Sequence, residues 1–273
     1  MIRLVASDLD FTLMTDEREF TEYTREVVKK IQEKGIYFVP CSARDWTEMP
    51  EYIKENKDIP YVVCENGALI MDNKTEKPIF ENRMSTETVL AFMKELEGIN
   101  EYWSLLLDNQ NYCSKKILDD VDKLDVNKNF RTRFMKDRIV IDDYVPFIQN
   151  SGGITKIHYR TPNDEIKQAT AAVLSKFPEL EYTSSFARNI EVTHCESTKA
   201  HALEYVGKLY GVTPDEMLAF GDHLNDITML HSVKYKFTPS NGEPELRELF
   251  PILDYSNNED GVAKKIAELL LAE

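Results

Sequence analysis

The sequence has few cysteines, no long apolar run and no internal repeat, and each absence excludes a class of protein. Its four cysteines lie far apart and form no Cys-x-x-Cys pair, which argues against a disulfide framework and a structural zinc site. No apolar run approaches the ~20 residues of a membrane span. The first residues also lack the basic-then-apolar pattern of a signal peptide. We therefore expect a cytoplasmic protein without a membrane partner.

Positive charge is also in short supply. The chain has 48 acidic and 33 basic residues, for a formal charge of −15, and it contains no long block of one sign. Such a charge argues against binding nucleic acid or an anionic membrane through a general electrostatic field. A small anionic substrate remains compatible with it, provided that a few local cations bind that substrate. With 273 residues and a hydrophobic fraction of 42%, the chain can form one large domain or two smaller ones.

Short apolar segments alternate with amphipathic segments in the first 82 residues. The pattern predicts strands at 2–6, 36–39 and 61–64 and helices at 21–34 and 46–56. Asn66-Gly67 is a strong turn signal, so we expect a hairpin between the third strand and residues 69–71. Alternation of strands and helices is typical of a doubly wound parallel sheet.

This alternation stops near residue 83 and resumes near residue 190. In between, we expect helices at 85–96 and 165–177, and strands at 103–107, 153–159 and 180–193, the last interrupted at 187–189. Residues 119–138 show no clear pattern. The later segments predict helices at 199–210, 243–249 and 260–271 and strands at 217–220, 234–237 and 252–255. The fold class is therefore α/β, with a doubly wound, Rossmann-like core (1–82 and 190–273) and an inserted α+β domain (83–189).

Polar residues follow the predicted strands of the core. The positions are Asp8, Asp10 and Thr12; Ser42; Lys199; and Asp222, Asn225 and Asp226. In an open α/β sheet, ligands bind at the carboxyl ends of the strands. Two carboxylates at one edge repel each other unless they share a cation or a proton, and Mg2+ prefers oxygen ligands. Ordinary roles remain open: a turn for Ser42, a solvated surface position for Lys199, and helix caps for Asn225 and Asp226.

Together these segments resemble the four motifs of the haloacid dehalogenase superfamily of phosphohydrolases, best of all its Cof-type branch, which carries a large α+β cap. The segments are Asp-Leu-Asp-Phe-Thr-Leu at 8–13, Ser-Ala-Arg at 42–44, Ser-Thr-Lys at 197–199 and Gly-Asp-His-Leu-Asn-Asp-Ile-Thr-Met-Leu at 221–230. Glu-Asn-Gly-Ala at 65–68 and Asn-Glu-Asp-Gly-Val-Ala at 258–263 add to the resemblance. It covers the whole chain, although the inserted domain matches by position and kind and not by motif.

The resemblance implies a Mg2+-dependent phosphatase with an aspartyl-phosphate intermediate. Asp8 would attack phosphorus, and Asp10 would protonate the leaving alcohol and then take a proton from water. Ser42, Lys199 and the turn that includes Thr12 would bind the phosphate. The implied ligands of Mg2+ are Asp8, the main-chain carbonyl of Asp10, Asp222, Asn225 and Asp226, and the implied substrate contacts are Asn66, Ala43 and Arg44. Arg44 could instead have a structural role.

The chain also departs from the family pattern at three positions. Phe11, Ala43 and Ala200 stand where the family usually has glycine, and none of these changes removes a reacting group. We expect small phosphorylated metabolites as substrates, sugar phosphates being common in the family, and a monomer or weak homodimer. Two alternatives remain: a phosphosugar mutase or phosphotransferase on the same scaffold, and a non-catalytic protein that binds a phosphometabolite.

Overall fold

The computed structural model describes residues 1–124, 138–184 and 188–272. The chain forms two compact units. Met1–Phe80 and the chain from Thr198 onward make the first, which we call the core unit. Glu81–Ser197 makes the second, the inserted unit, where the sequence predicts a separate domain over 83–189. Within the described ranges, no helix combines the length and the apolar character needed to cross a membrane.

The secondary structure alternates in the core unit and is rich in hairpins in the inserted unit. The strands are β1 (Leu4–Ser7), β2 (Tyr37–Pro40), β3 (Tyr61–Cys64), β4 (Leu69–Asp72), β5 (Lys77–Glu81), β6 (Trp103–Leu107), β7 (Gln110–Ser114), β8 (Arg138–Ile141), β9 (Lys156–Arg160), β10 (Leu180–Thr183), β11 (Asn189–His194), β12 (Met217–Phe220) and β13 (Tyr235–Phe237). The helices are α1 (Glu22–Glu33), α2 (Glu51–Glu55), α3 (Thr86–Glu95), α4 (Lys115–Asp119), α5 (Tyr144–Gln149), α6 (Asp164–Leu174), α7 (Lys199–Tyr210), α8 (Ile227–Ser232), α9 (Pro244–Leu249) and α10 (Gly261–Leu270).

The core unit is organised around a parallel sheet in the order β13-β12-β1-β2. In its centre, Val5 pairs with Leu218 on one side and with Phe38 on the other. A parallel bridge between Cys41 and Val63 brings β3 alongside β2. The carboxyl ends of these parallel strands therefore meet at one edge, which is where the polar segments of the sequence follow them.

Both faces of this sheet are covered by helices, which explains why its central strands β1, β2 and β12 are mainly apolar. Side chains alternate along β1, so Val5 lies in one hydrophobic cluster and Leu4 and Ala6 lie in another. The first cluster includes side chains of α1 and α10, and the second includes side chains of α7, α8 and α9. This arrangement is the doubly wound α/β fold predicted from the sequence.

The predicted hairpin is confirmed, and several of the predicted helices begin at side-chain caps. β3 and β4 form an antiparallel hairpin, with Val63 opposite Ile70. Thr21 caps α1 by accepting a hydrogen bond from the backbone N–H of Thr24 at 3.0 Å. α3 and α7 are capped in the same way by the side chains of Ser85 and Thr198.

The inserted unit is built on a six-stranded sheet in the order β10-β11-β9-β6-β7-β8. Its described strand pairs are antiparallel apart from β7 and β8, which run parallel. Apolar side chains from this sheet pack with those of α3, α5 and α6 in a hydrophobic cluster of their own. The unit is therefore an α+β structure with an independent core, as predicted.

Three expectations were wrong or incomplete. The helix predicted at 46–56 is only α2, because Pro50 precedes its first turn and residues 46–49 form turns. The strand predicted at 252–255 is a single bridge between Ile252 and Thr238. The sequence analysis did not predict the elements β5, β7, β8, α4 and α5. Of the interruption predicted at 187–189, residue 187 lies outside the described residues, whereas Asn189 already belongs to β11.

Candidate active site

The site forms where β1 and β12 end side by side. Asp8 directly follows β1, and its backbone N–H donates to the carbonyl oxygen of Phe220 at 3.0 Å. Asp222 follows β12 two residues later, and Lys199 is the first residue of α7. Three segments that are far apart in sequence thus place Asp8, Lys199, Asp222 and Asp226 together.

Lys199 joins two of these carboxylates. Its Nζ atom lies 2.5 Å from Oδ1 of Asp8 and 2.6 Å from Oδ1 of Asp226, and its side chain is completely buried. Burial alone would lower the pKa of Lys199, but the two carboxylates outweigh it and raise the pKa above its ordinary value. Lys199 is therefore a fixed positive charge inside the site.

Asp226 also holds the loop that carries Asp222. Its Oδ2 accepts hydrogen bonds from the backbone N–H groups of Asp222 and His223, both at 3.0 Å. The side chain reaches these groups because it packs directly against Gly221, where an added Cβ would lie 2.4 Å from the Cβ of Asp226. Asp226 is therefore fixed on both of its oxygens.

Asp8 and Asp222 each keep one carboxylate oxygen without a hydrogen bond to any described residue. Oδ1 of Asp8 is bound by Lys199, and Oδ1 of Asp222 accepts the hydroxyl of Thr12. Burial, with a further contribution from the charges of nearby carboxylates, raises the pKa of Asp8 to about 7 and that of Asp222 well above its ordinary value. The ionised form of each carboxyl group is therefore poorly compensated by the protein alone.

This carboxylate cluster fits a divalent cation. Ligand atoms of Asp8, Asp222 and Asp226 all lie within 4.8 Å of one another, and all three residues are buried. When all three carboxyl groups are ionised, their three negative charges exceed the single positive charge of Lys199 by two. Oxygen ligands and a surplus of this size match what Mg2+ requires.

Asp10 has a different environment from Asp8, although only one residue separates them. Its Oδ2 lies 2.7 Å from Nε of Arg44, and its Oδ1 lies 2.6 Å from Nη2. Burial by itself would raise the pKa of Asp10, but the hydrogen bonds and charge of Arg44, helped by Arg18, lower it below the ordinary value. Asp10 is therefore a carboxylate paired with a guanidinium.

The turn between Asp10 and Thr12 requires a left-handed residue. Phe11 occupies that position with φ 60° and ψ 3°, a conformation that costs a residue other than glycine about 1–2 kcal/mol. This explains why glycine is usual here in the family that the sequence resembles. The chain makes the same turn with phenylalanine, and Asn241 supports it by donating to the Phe11 carbonyl oxygen at 2.8 Å.

Ser42 lies in the loop that follows β2, beside Ala43. Its side chain is buried, and its Oγ accepts the backbone N–H of Arg44 at 3.2 Å. Among the described residues no acceptor is present for the Ser42 hydroxyl proton, so this group can donate to a ligand. Ser42 also accepts the backbone N–H of Asn66 through its carbonyl oxygen at 3.1 Å, which ties its loop to the next strand end.

Asn66 belongs to a strained turn and contacts Asn225. Glu65, Asn66 and Gly67 all have positive φ values. At Gly67, an added Cβ would lie 2.3 Å from the carbonyl oxygen of Thr198, so the turn packs against the start of α7. The Asn66 Oδ1 accepts Nδ2 of Asn225 at 2.9 Å, which places Asn225 at the edge of the carboxylate cluster.

Sequence reasoning did not identify Arg18 as part of the site. Its Nε lies 3.7 Å from Oδ1 of Asp10, and it has φ 65°. Residues 14–20 show neither a helical nor a strand pattern, so nothing in the sequence assigned Arg18 to this edge.

Comparisons with known proteins identify the family of the chain. A family model described as haloacid dehalogenase-like hydrolase matches residues 5–266. A phosphatase-named protein of Haemophilus influenzae is 29% identical over 273 residues, covering 98% of both chains. The 5-amino-6-(5-phospho-D-ribitylamino)uracil phosphatase YcsE of Bacillus subtilis is 27% identical, covering 99% of this chain and 96% of its own.

Solved structures show the same fold. A haloacid dehalogenase-like hydrolase from B. subtilis has a TM-score of 0.83 at 20% identity, covering 98% of this chain and 100% of its own. The family model covers almost the whole chain, and the two relatives match nearly all of it. The chain therefore belongs to the haloacid dehalogenase-like hydrolases and is an enzyme of the phosphatase type.

Proposed function

We propose that the protein is a Mg2+-dependent phosphatase of small phosphorylated metabolites, sugar phosphates in particular, acting through an aspartyl phosphate on Asp8. The observation that carries this proposal is the state of Asp8. One of its oxygens is bound by Lys199 and the other accepts no hydrogen bond from a described residue. A fixed carboxylate with a free oxygen at a strand end is suited to attack phosphorus.

Asp10 supplies proton transfer. In the arrangement described, it is a carboxylate, the form that accepts a proton from water as the water oxygen attacks the aspartyl phosphate. The bond between phosphorus and the Asp8 oxygen breaks in that step, and Asp8 regains its carboxylate. Asp10 then returns the proton to the leaving oxygen of the next substrate molecule, which closes the cycle.

Asp222 would hold Mg2+ through its free oxygen, with Asp8, Asp226, Asn225 and the Asp10 carbonyl as the remaining predicted ligands. When bound, the ion supplies positive charge that offsets the negative charge of the phosphate and of the carboxylates. Asp226 already uses both oxygens within the protein, so we assign it mainly to the loop of Asp222 and to Lys199.

The phosphate would be bound by one positive charge and by neutral donors. Lys199 provides the charge, the Ser42 hydroxyl a donor, and the backbone of the turn around Thr12 further N–H groups. Asn66 and Ala43 are proposed to contact the rest of the substrate. The B. subtilis relative named for a phosphoribityl substrate supports a phosphorylated metabolite as the substrate class.

The proposed setting is the cytoplasm. The four cysteines are free thiols, and Cys41, Cys64 and Cys113 are buried. Burial raises the pKa of Cys41 to about 12, so its thiol is unreactive. Free thiols are usual in a reducing compartment. A monomer or weak homodimer remains the prediction for the oligomeric state, and light scattering at several concentrations tests it.

Phosphate release from a panel of sugar phosphates and p-nitrophenyl phosphate tests the proposal. We expect turnover by the wild type that stops reversibly in EDTA and returns with Mg2+, and that Asp8→Asn loses. Asp215→Asn, which removes an exposed carboxylate, is the matched control and should keep full activity. Labelled substrate should also leave a hydroxylamine-sensitive phosphoryl group on the wild type only.

Four results would contradict the proposal. Turnover that persists in Asp8→Asn would exclude the aspartyl phosphate, and turnover without metal would exclude Mg2+. Isomerisation of a phosphosugar without phosphate release would instead support the mutase. Tight binding of a phosphometabolite without turnover would support the non-catalytic protein.

A further inference from the structure

The contact between Asp10 and Arg44 has the geometry of a positioning device. The two residues form parallel hydrogen bonds of 2.7 and 2.6 Å, and these use both oxygens of the carboxylate. A two-point contact of this kind fixes the plane of the carboxylate as well as its distance, which a single contact cannot do. Asp10 keeps 28% of its side chain exposed, so it is fixed but still accessible.

Arg44 is itself held firmly. Its remaining terminal nitrogen, Nη1, donates to the carbonyl oxygen of Glu48 at 2.9 Å. Its backbone accepts the N–H of Glu65 at 2.9 Å and donates to Oγ of Ser42 at 3.2 Å. Only 10% of the side chain is exposed. Nε, Nη1 and Nη2 thus all donate within the protein, and the guanidinium is directed at Asp10.

We propose that Arg44 is a positioning residue for proton transfer, which acts through Asp10 and does not bind the substrate itself. This inference rests on the proposed function, in which Asp10 exchanges the proton. A carboxylate oxygen has two lone pairs, so each oxygen of Asp10 can accept from Arg44 and still exchange a proton through its second lone pair. Arg44 therefore sets the direction of that second lone pair.

Arg18 provides a natural comparison. It is also a cation beside Asp10, but it makes one contact of 3.7 Å and is 36% exposed. If nearby positive charge were all that mattered, removing either cation would affect the reaction in a similar way. If the two-point contact matters, Arg44→Lys should lower the rate strongly although it keeps the charge, and it should do so more than Arg18→Gln, which removes a charge.

The test is a double-mutant cycle on phosphate release. Arg44→Lys and Arg44→Met are made in the wild type and in Asp10→Asn. Asp8→Asn serves as the blank for phosphate release that does not depend on the site, and Arg18→Gln serves as the comparison. We expect Arg44→Lys to lower kcat about 10- to 100-fold with KM within about twofold, because a misplaced proton-transfer group costs rate and not binding. In Asp10→Asn, the same substitution should change kcat by less than about threefold.

The choice of substrate adds a second readout. An alkyl phosphate needs a proton on its leaving oxygen far more than p-nitrophenyl phosphate does. The steady-state kcat of Arg44→Lys, relative to wild type, should therefore fall more with the alkyl phosphate than with p-nitrophenyl phosphate. Circular dichroism and thermal melting confirm that each variant is folded, and Arg44→Lys serves if Arg44→Met does not fold.

Two outcomes would overturn the inference. A rise in KM with unchanged kcat would make Arg44 a substrate ligand, and an equal fall in kcat in both backgrounds would make its role structural. Failure of the proposed function is seen separately, because the Asp8→Asn variant would then release phosphate at a rate similar to that of the wild type.

Discussion

Replacing Asp8 by asparagine removes one charge from a buried, net negative cluster, and we expect the metal-free protein to become more stable as a result. Asp8 has an ordinary pKa of 3.8, which the unfolded chain retains, whereas burial raises it to about 7 in the folded protein. Ionised Asp8 therefore favours unfolding. The penalty begins above pH 3.8, grows with pH and is complete above about pH 7.

The magnitude follows from this difference in pKa. One pKa unit corresponds to about 1.4 kcal/mol, so the charge on Asp8 costs the folded state about 4 kcal/mol at pH 8 and about 1.5 kcal/mol at pH 5. The pKa of Asp8 already includes the attraction of Lys199, so this cost is net of that ion pair. The asparagine side chain of the Asp8→Asn variant can also still accept a hydrogen bond from Lys199 through its amide oxygen.

Urea unfolding in EDTA at pH 5, 6.5 and 8 measures the effect. Trp46 belongs to the core unit and Trp103 to the inserted unit, so Trp103→Phe lets fluorescence report the core unit alone. Asp8→Asn should gain stability and the gain should increase with pH, while Asp215→Asn, at an exposed position, should change little. A variant no more stable than wild type at pH 8, or a gain independent of pH, would refute the argument.

Two further substitutions test how the site is held together. Lys199→Ala leaves Asp8 and Asp226 buried without their cation, so it should lower the free energy of unfolding by about 3–5 kcal/mol and abolish turnover. Lys208→Ala, at an exposed position of the same helix, should change neither. Similar effects in both variants would show that Lys199 has only a surface role. Gly67→Ala should lower the free energy of unfolding and the turnover more than Gly35→Ala does. Both glycines have positive φ, but of the two only Gly67 lies against the backbone of Thr198. Equal losses of unfolding free energy in urea would show that this close approach is unimportant.

The predictable parts of the fold are those in which local periodicity and burial coincide. β1, β2 and β12 are apolar along their length because helices cover both faces of the sheet, and α1 and α10 show a clear apolar stripe. β7 was missed because Gln110–Ser114 is largely polar, so its place in the sheet depends on neighbours that local sequence does not show. The strand predicted at 252–255 is the opposite error, a strand that was predicted but did not form. Ile252 is apolar, yet it makes only a single bridge with Thr238.

The site was predictable to the extent that strand ends converge. Asp8, Asp222 and Asp226 meet because the parallel strands β1 and β12 place their carboxyl ends at one edge, and the fold class alone implied this. Lys199 reaches them from the first residue of α7. Arg44 could be placed near that edge but not directed at Asp10, because a contact across 34 positions depends on the side-chain conformations of both partners. The left-handed turn at Phe11 was signalled only by the resemblance, in which glycine usually occupies this position, because phenylalanine itself gives no sign of the conformation that it must adopt.

The two carboxylates of the Asp-x-Asp pair look equivalent in the sequence, and their surroundings make them different. Asp8 shares a single ammonium with the buried carboxylate of Asp226, and burial raises its pKa. Asp10 has a guanidinium to itself, and its pKa is lowered in spite of burial. The uncompensated negative charge is thereby confined to the cluster of Asp8, Asp222 and Asp226, where a divalent cation fits, and Asp10 remains outside it. Separation of this kind is what lets neighbouring carboxylates take the roles of nucleophile and proton carrier.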